Sequence, residues 1–201
     1  NFVIGYFATE LQVVAYLLLI TLLFLPADRI GLRCPQLARP RYLLPFALWL
    51  LVALGTWLTV RMSVPLAVTA NAIDPWLILR TTLVVGVTEE WVFRGIVFAV
   101  LARWLGLRRG AYAALAAFGC FHLMNIVIGM PVAGALAQTV LAFMSGSILL
   151  LAAIATRSLW IPMIGHGLYD FFVFDIARMV QASGGRSIAS LVVMANGIVL
   201  A

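Results

Sequence analysis

Long apolar runs separated by short, Pro-bearing polar breaks organise this chain. A helix of about 20 apolar residues crosses the hydrocarbon core of a bilayer. Windows near that length predict seven helical spans, near Phe2–Leu25, Leu43–Val60, Trp76–Trp104, Ala111–Ile128, Val132–Ala155, Leu159–Ile176 and Ser187–Ala201. The last is short and reads as clipped, interfacial or re-entrant. Pro26, Pro35 and Pro40 punctuate the first break, Pro65, Asn71 and Pro75 the second, and Ser183-Gly184-Gly185 the last. Pro45 and Pro162 fall in the first turn of their spans, where a missing N–H costs little. The predicted fold is all-α, a polytopic transmembrane bundle of about seven spans forming one domain over residues 1–201, with no internal repeat, low-complexity tract or soluble domain.

The few polar residues inside the spans are the informative ones. Glu89 lies thirteen residues from Trp76 and fifteen from Trp104, near the midplane of a long, tilted helix. An ionisable group at that depth costs roughly 2.5–3.5 kcal/mol on insertion scales, so Glu89, Glu90 and Arg94 point to a functional site. His122 is eleven residues into the fourth span and His166 seven into the sixth, both well inside the apolar layer. Asp170, four residues after His166, shares its helix face. Three helices thus carry carboxylates and imidazoles at similar depth, and in hydrocarbon such groups turn inward to meet one another. Adjacent Glu89 and Glu90 diverge by roughly 100° around a helix. Glu90 and Arg94, at i,i+4, can pair along one face, leaving Glu89 to address the cavity. One carboxylate is then paired, and the other exchanges protons as a general base must. The competing reading is adhesion, in which Glu–Arg and His–Asp pairs merely lock helices together. A second adjacent Glu exceeds what adhesion requires.

Composition settles the solvent. With 65% hydrophobic and 10% charged residues and a mean hydropathy of +1.12, the chain cannot cover a water-soluble globule with polar surface. The net charge of +6 comes from thirteen Arg, no Lys and seven acids. Most of the Arg fall in the breaks, which marks topology and lipid headgroups and not nucleic acid. Arg29, Arg33, Arg39, Arg41, Arg103, Arg108, Arg109 and Arg157 share one side if the spans alternate, against Arg61, Arg178 and Arg186 on the other. The richer side is cytoplasmic by the positive-inside rule. Cys34 lies in a break and Cys120 in an apolar run, so no disulfide between them is expected. The chain opens apolar at Asn1 without the charged start of a signal peptide, so residues upstream are expected to be missing.

Glu89-Glu90-x-x-x-Arg94, Phe118-x-x-x-His122 and His166-x-x-x-Asp170, in that order on three separate spans, resemble the three-motif signature of the CPBP family of intramembrane proteases. That family includes the CAAX prenyl endopeptidases and the bacterial Abi-type proteins. The resemblance covers Trp76 to Phe174, about half of the chain. It implies that Glu89 is the general base that activates water and that His122 helps to hold or deprotonate it. It further implies that His166 and Asp170 stabilise the oxyanion, directly or through an oriented imidazole, with Asp170 either orienting His166 or protonated, while Glu90 and Arg94 shape the site. Phe118 reads as packing.

Peptide hydrolysis by direct water attack needs a base, an oxyanion donor and an acid for the leaving nitrogen, which one Glu and two His can supply. Cys120, two residues from His122, is poorly placed to serve as a nucleophile beside it. A metal-free mechanism without cofactor is the preferred expectation. The alternative is Zn²⁺ held by Glu89, His122 and His166, although no His-Glu-x-x-His helix is present. The expected partners are the lipid bilayer and a membrane-anchored peptide or protein substrate. The expected location is the inner (plasma) membrane of a bacterium, and oligomeric state is not legible. Gly86, Gly95, Gly119, Gly165 and Gly167 flank the motifs and allow close helix approach or room for substrate backbone. Two other classes place such residues at the midplane: a proton-coupled transporter, which favours broken helices and repeated halves, and a non-catalytic scaffold or immunity protein.

Overall fold

The structure, a computed structural model, describes residues 40–184 apart from 66–68, 70–71 and 128. The expected spans Phe2–Leu25 and Ser187–Ala201, and Cys34, lie outside the described residues. Among the described residues every regular element is helical. A short 3₁₀ turn, Pro40–Tyr42, leads into α1 (Leu43–Ser63). Then come α2 (Pro75–Glu90), a π-helical segment (Trp91–Val97) and α3 (Phe98–Leu105). α4 (Leu107–Phe121) continues as a 3₁₀ segment (His122–Ile126), followed by α5 (Val132–Thr156) and α6 (Trp160–Ala182).

The helix ends follow local chemistry. Asp74 caps α2 by accepting from the Trp76 amide at 3.0 Å, with Pro75 as the first helical residue. Gly106, at φ +80°, turns the chain between α3 and α4. This lets the two pack so closely that a Cβ on Gly110 would lie 2.5 Å from the Ala102 backbone. α5 ends on Arg157 in the left-handed conformation, its charge at the helix C-terminus.

Five of the seven expected spans are helices here, with corrected bounds. The long third span is not one uninterrupted α-helix but passes through the π segment directly after Glu90. There the Phe98 amide donates to the Phe93 carbonyl, one residue further back than in an α-helix. The fourth span leaves α-geometry at His122, which sits at a helix end and not mid-helix. α1 and α6 run past their expected ends, so Arg61 and Arg178 belong to helices and not to breaks. α1 and α5 are each long and apolar enough to cross a membrane by length and composition. α1 buries only Phe46 and Val60 and exposes Leu44, Leu48, Leu51, Val52, Leu58 and Met62, as a helix solvated by lipid would.

α2 and α6 form the centre. A Cβ on Gly86 would lie 2.5 Å from the Met163 carbonyl oxygen and 2.7 Å from the Gly167 nitrogen; one on Gly167 would lie 2.7 Å from Leu83 Cα. Backbone thus meets backbone, the small-residue crossing by which membrane helices approach without a hydrophobic driving force. Trp91, Phe98, Leu115, Leu150, Leu159 and Met163 pack into one core around the π segment. Phe46 beside Leu149 and Ala152, and Val60 beside Ile176 and Met179, dock α1 on α5 and along α6.

Candidate active site

The Gly86–Gly167 crossing decides what meets across α2 and α6. Gly86 is one turn before Glu90 and Gly167 adjoins His166, so the closest backbone approach brings the Glu pair against that imidazole. Glu90 Oε1 lies 2.9 Å from His166 Nδ1, with Glu90 fully buried. Glu89 Oε2 lies 3.9 Å and Asp170 Oδ2 3.5 Å from His166 Nε2. The two adjacent glutamates therefore address opposite nitrogens of a single ring, which resolves their roughly 100° divergence on the helix.

Arg94 completes the cluster from the π segment. Its Nη1 lies 2.9 Å from Glu90 Oε1 but makes no directed hydrogen bond, so this is a charge contact. Its Nη2 donates to the Gly146 carbonyl of α5 at 3.0 Å. The guanidinium also lies over the Phe118 ring, 4.2 Å from the centroid. Phe118 stands between the motifs: its centroid is 5.0 Å from that of His122 and 6.0 Å from that of His166, each ring nearly perpendicular to it. His122 Nδ1 lies 2.9 Å from the Phe118 carbonyl oxygen. A carbonyl cannot donate, so Nδ1 carries the proton and, in the neutral ring, Nε2 keeps its lone pair.

All six residues singled out from the sequence lie in or beside this centre. Glu89, Glu90, Arg94, His166 and Asp170 share ion-pair contacts, and His122 joins through Phe118. The expected Glu90–Arg94 pair forms. The partner holding His166 Nδ1 is Glu90, while Asp170, expected either to orient that ring or to be protonated, stands on its other side. One helical turn carries the Asp170 carboxylate only to the Nε2 edge, beyond short hydrogen-bond range. Phe118 does more than pack, since it supports both imidazoles and the guanidinium.

Sequence reasoning missed Gly146. A Cβ there would stand 2.8 Å from both Arg94 Nη2 and Phe118 Cδ1, and its carbonyl is the Arg94 acceptor. It also missed the Asn125–Gln138 hydrogen bond of 2.7 Å, which ties the 3₁₀ segment after His122 to α5. The signal for that pair was two amides in apolar runs. Of the flanking glycines, Gly86, Gly119, Gly165 and Gly167 stand at close interhelical approaches. Among the described residues, no three His, Cys, Asp or Glu side chains are grouped to hold a metal ion. No step below runs through a metal.

Comparison with known proteins places the chain in a family. A family model described as type II CAAX prenyl endopeptidase Rce1-like matches residues 71–172, half of the chain, and contains every residue of the cluster. No curated protein and no solved structure matches the chain. The protein is an integral membrane protein with a helical fold, and it belongs to the Rce1-like type II CAAX prenyl endopeptidases of the CPBP proteases.

Proposed function

We propose that this protein is an intramembrane endopeptidase that cleaves a peptide bond of a membrane-associated substrate with water activated by Glu89. The observation that carries the reading is the division of labour around His166, with Glu90 on Nδ1 and Glu89 and Asp170 on the Nε2 side. Glu90 is committed to Arg94 and His166, and of the two carboxylates on the Nε2 side Glu89, which matches the general base of the family's first motif, takes the proton from water. The water oxygen bonds to the scissile carbonyl carbon, and the carbonyl π electrons move onto its oxygen. His166 donates to that oxyanion through Nε2–H. With Nδ1–H given to Glu90, this requires the imidazolium form, and the surrounding carboxylates suit that charge. Collapse breaks the C–N bond, and the proton held by Glu89 passes to the leaving nitrogen. His122, with its Nε2 lone pair, orients the attacking water. Glu90, Arg94 and Phe118 are positioning residues.

The site acts without a metal in this reading. The substrate is a membrane-anchored peptide or protein, and the location is the bacterial plasma membrane. The test is mass spectrometry of candidate membrane peptides incubated with the wild type and with Glu89→Gln. The reading expects cleavage only by the wild type, with both proteins folded. Cleavage by Glu89→Gln would overturn the role of Glu89. Stoichiometric co-purified metal whose chelation abolishes cleavage reversibly would overturn the metal-free mechanism.

A further inference from the structure

A second polar centre lies between one and two turns beyond Asp170 along α6, where the C-terminal ends of α1 and α6 meet the start of α2. A groove of about 510 Å³ opens there, lined among others by Trp57, Arg61, Trp76, Asp175 and Arg178. Its size is within the roughly 300–1,000 Å³ of small-ligand pockets. Asp175, 1% exposed, has both oxygens engaged: Oδ2 accepts from Trp57 Nε1 at 2.8 Å and Oδ1 from Arg178 Nε at 2.6 Å. Each oxygen of the carboxylate that lines the groove is thus already engaged by a neighbouring donor.

The donors are not used up. Arg178, with a side chain 10% exposed, makes one hydrogen bond through Nε, and its two Nη groups have no partner among the described residues. Half-buried Arg61 makes a single 3.5 Å approach to the Val64 carbonyl. Arg80 follows Trp76 by one turn on the same helix face, exposed and without an ion-pair partner among the described residues. Each guanidinium offers five N–H donors and no acceptor. Arg61 and Arg178 line the groove against one carboxylate, and Arg80 stands one turn along from the lining Trp76, so the environment is rich in donors and positive charge, which an acceptor-rich anion complements.

The level of this cluster identifies the carrier. Arg61 is in the last turn of α1 and Trp76 in the first turn of α2. Indole rings favour the headgroup level of a bilayer, and Arg80 can extend its stem along the apolar surface to reach that level. We propose that the groove binds the phosphate of an anionic phospholipid, from the leaflet opposite the exposed Arg103, Arg108 and Arg109. The guanidinium groups of Arg61, Arg80 and Arg178 hold the phosphate, and Trp57 and Trp76 flank it. The Asp175–Trp57 contact fixes the floor of the groove and keeps Arg178 facing the ligand.

The test uses the full chain in detergent with native mass spectrometry, titrating phosphatidylglycerol against phosphatidylcholine. The expected result is one preferentially retained phosphatidylglycerol per chain. Affinity should fall about tenfold in each of Arg61→Gln and Arg80→Gln, with unchanged thermal unfolding of the lipid-free protein. Arg178 is left intact because its loss would uncover a buried carboxylate. Raising the salt should weaken the preference in the wild type and less so in the double variant. Equal retention of the two lipids, or an undiminished preference in the double variant, would overturn the proposal. Displacement of phosphatidylglycerol by equimolar inorganic phosphate would overturn the lipid assignment and leave a simple anion site. Both variants retain the catalytic cluster, so the outcome is independent of proteolysis.

Discussion

Two buried carboxylate–arginine pairs stand on the two central helices, and they are finished differently. At the α6 end, both oxygens of Asp175 are satisfied by directed hydrogen bonds, from Trp57 and Arg178. In the middle, Glu90 contacts Arg94 and His166 through the same oxygen, Oε1, while buried Oε2 has no hydrogen-bond partner among the described residues. Two further carboxylates approach His166 Nε2 at 3.9 and 3.5 Å, longer than short hydrogen bonds. A satisfied pair fixes geometry, whereas an incompletely satisfied one holds charge ready to be redistributed. On the proposed function the contrast separates a helix lock from a working centre, although both read alike as ionisable residues in an apolar run.

The largest test of that contrast removes Glu89, the carboxylate proposed to exchange protons with water. Glu89→Gln should lower the rate of peptide cleavage by about 10²–10⁴-fold, the usual worth of a positioned general base. Thermal unfolding of the purified protein should barely move, since the Glu90–Arg94 and Glu90–His166 contacts remain. A comparable loss of stability would place Glu89 among the locks.

Asp175→Ala inverts the pattern. Truncating one partner of a buried ion pair leaves the other uncompensated, at about 3–5 kcal/mol. The variant should unfold at markedly lower temperature or denaturant, while the fraction that stays folded cleaves at a rate close to wild type. Selective loss of rate with normal unfolding would contradict the assignment of Asp175 as a lock.

These two residues also mark what was legible. Spacing along one helix is written in the sequence, and the Glu90–Arg94 pair and the shared face of His166 and Asp170 could be read from it. The Asp175–Arg178 pair was equally available at i,i+3, but Arg178 was assigned to a break because α6 was expected to end too soon. Partners on different helices depend on how each helix is rotated and how closely it approaches. Glu90 reaches His166 because Gly86 and Gly167 bring α2 and α6 into backbone contact. The π segment was illegible for a related reason: Trp91–Val97 has no Pro, its one glycine, Gly95, reads equally as packing, and core packing around Trp91 and Phe98 accompanies the widened turn. The two terminal spans lie outside the described residues.

Gly146→Ala probes the working centre from its far wall. The added methyl would meet Arg94 Nη2 and Phe118 Cδ1 at 2.8 Å each, and neither can retreat easily because both side chains are buried. Overpacking of this kind costs about 1–3 kcal/mol. Here it should appear in both readouts, with a modest drop in unfolding temperature and a larger drop in kcat than in apparent substrate affinity. Gly146→Ala in an Arg94→Lys background should recover part of the lost stability, because the thinner ammonium vacates the space the methyl needs.

The smallest expected effect lies where α4 gives way to the 3₁₀ segment. Asn125 donates to Gln138 at 2.7 Å, three residues beyond His122, and this contact fastens the segment to α5. Polar contacts between membrane helices average about 0.6 kcal/mol in coupling, so the bond should contribute little to global stability. Its value lies in holding the segment so that the Phe118 carbonyl stays on His122 Nδ1 and the ring faces the centre. A double-mutant cycle with Asn125→Ala and Gln138→Ala should yield a coupling near 0.6 kcal/mol in unfolding, and either variant alone should slow cleavage about threefold. If the two amides act as a unit, the double variant should be no slower than the singles. Multiplicative losses would show instead that each amide acts separately, and that the position of His122 is set by α4 and Phe118 alone.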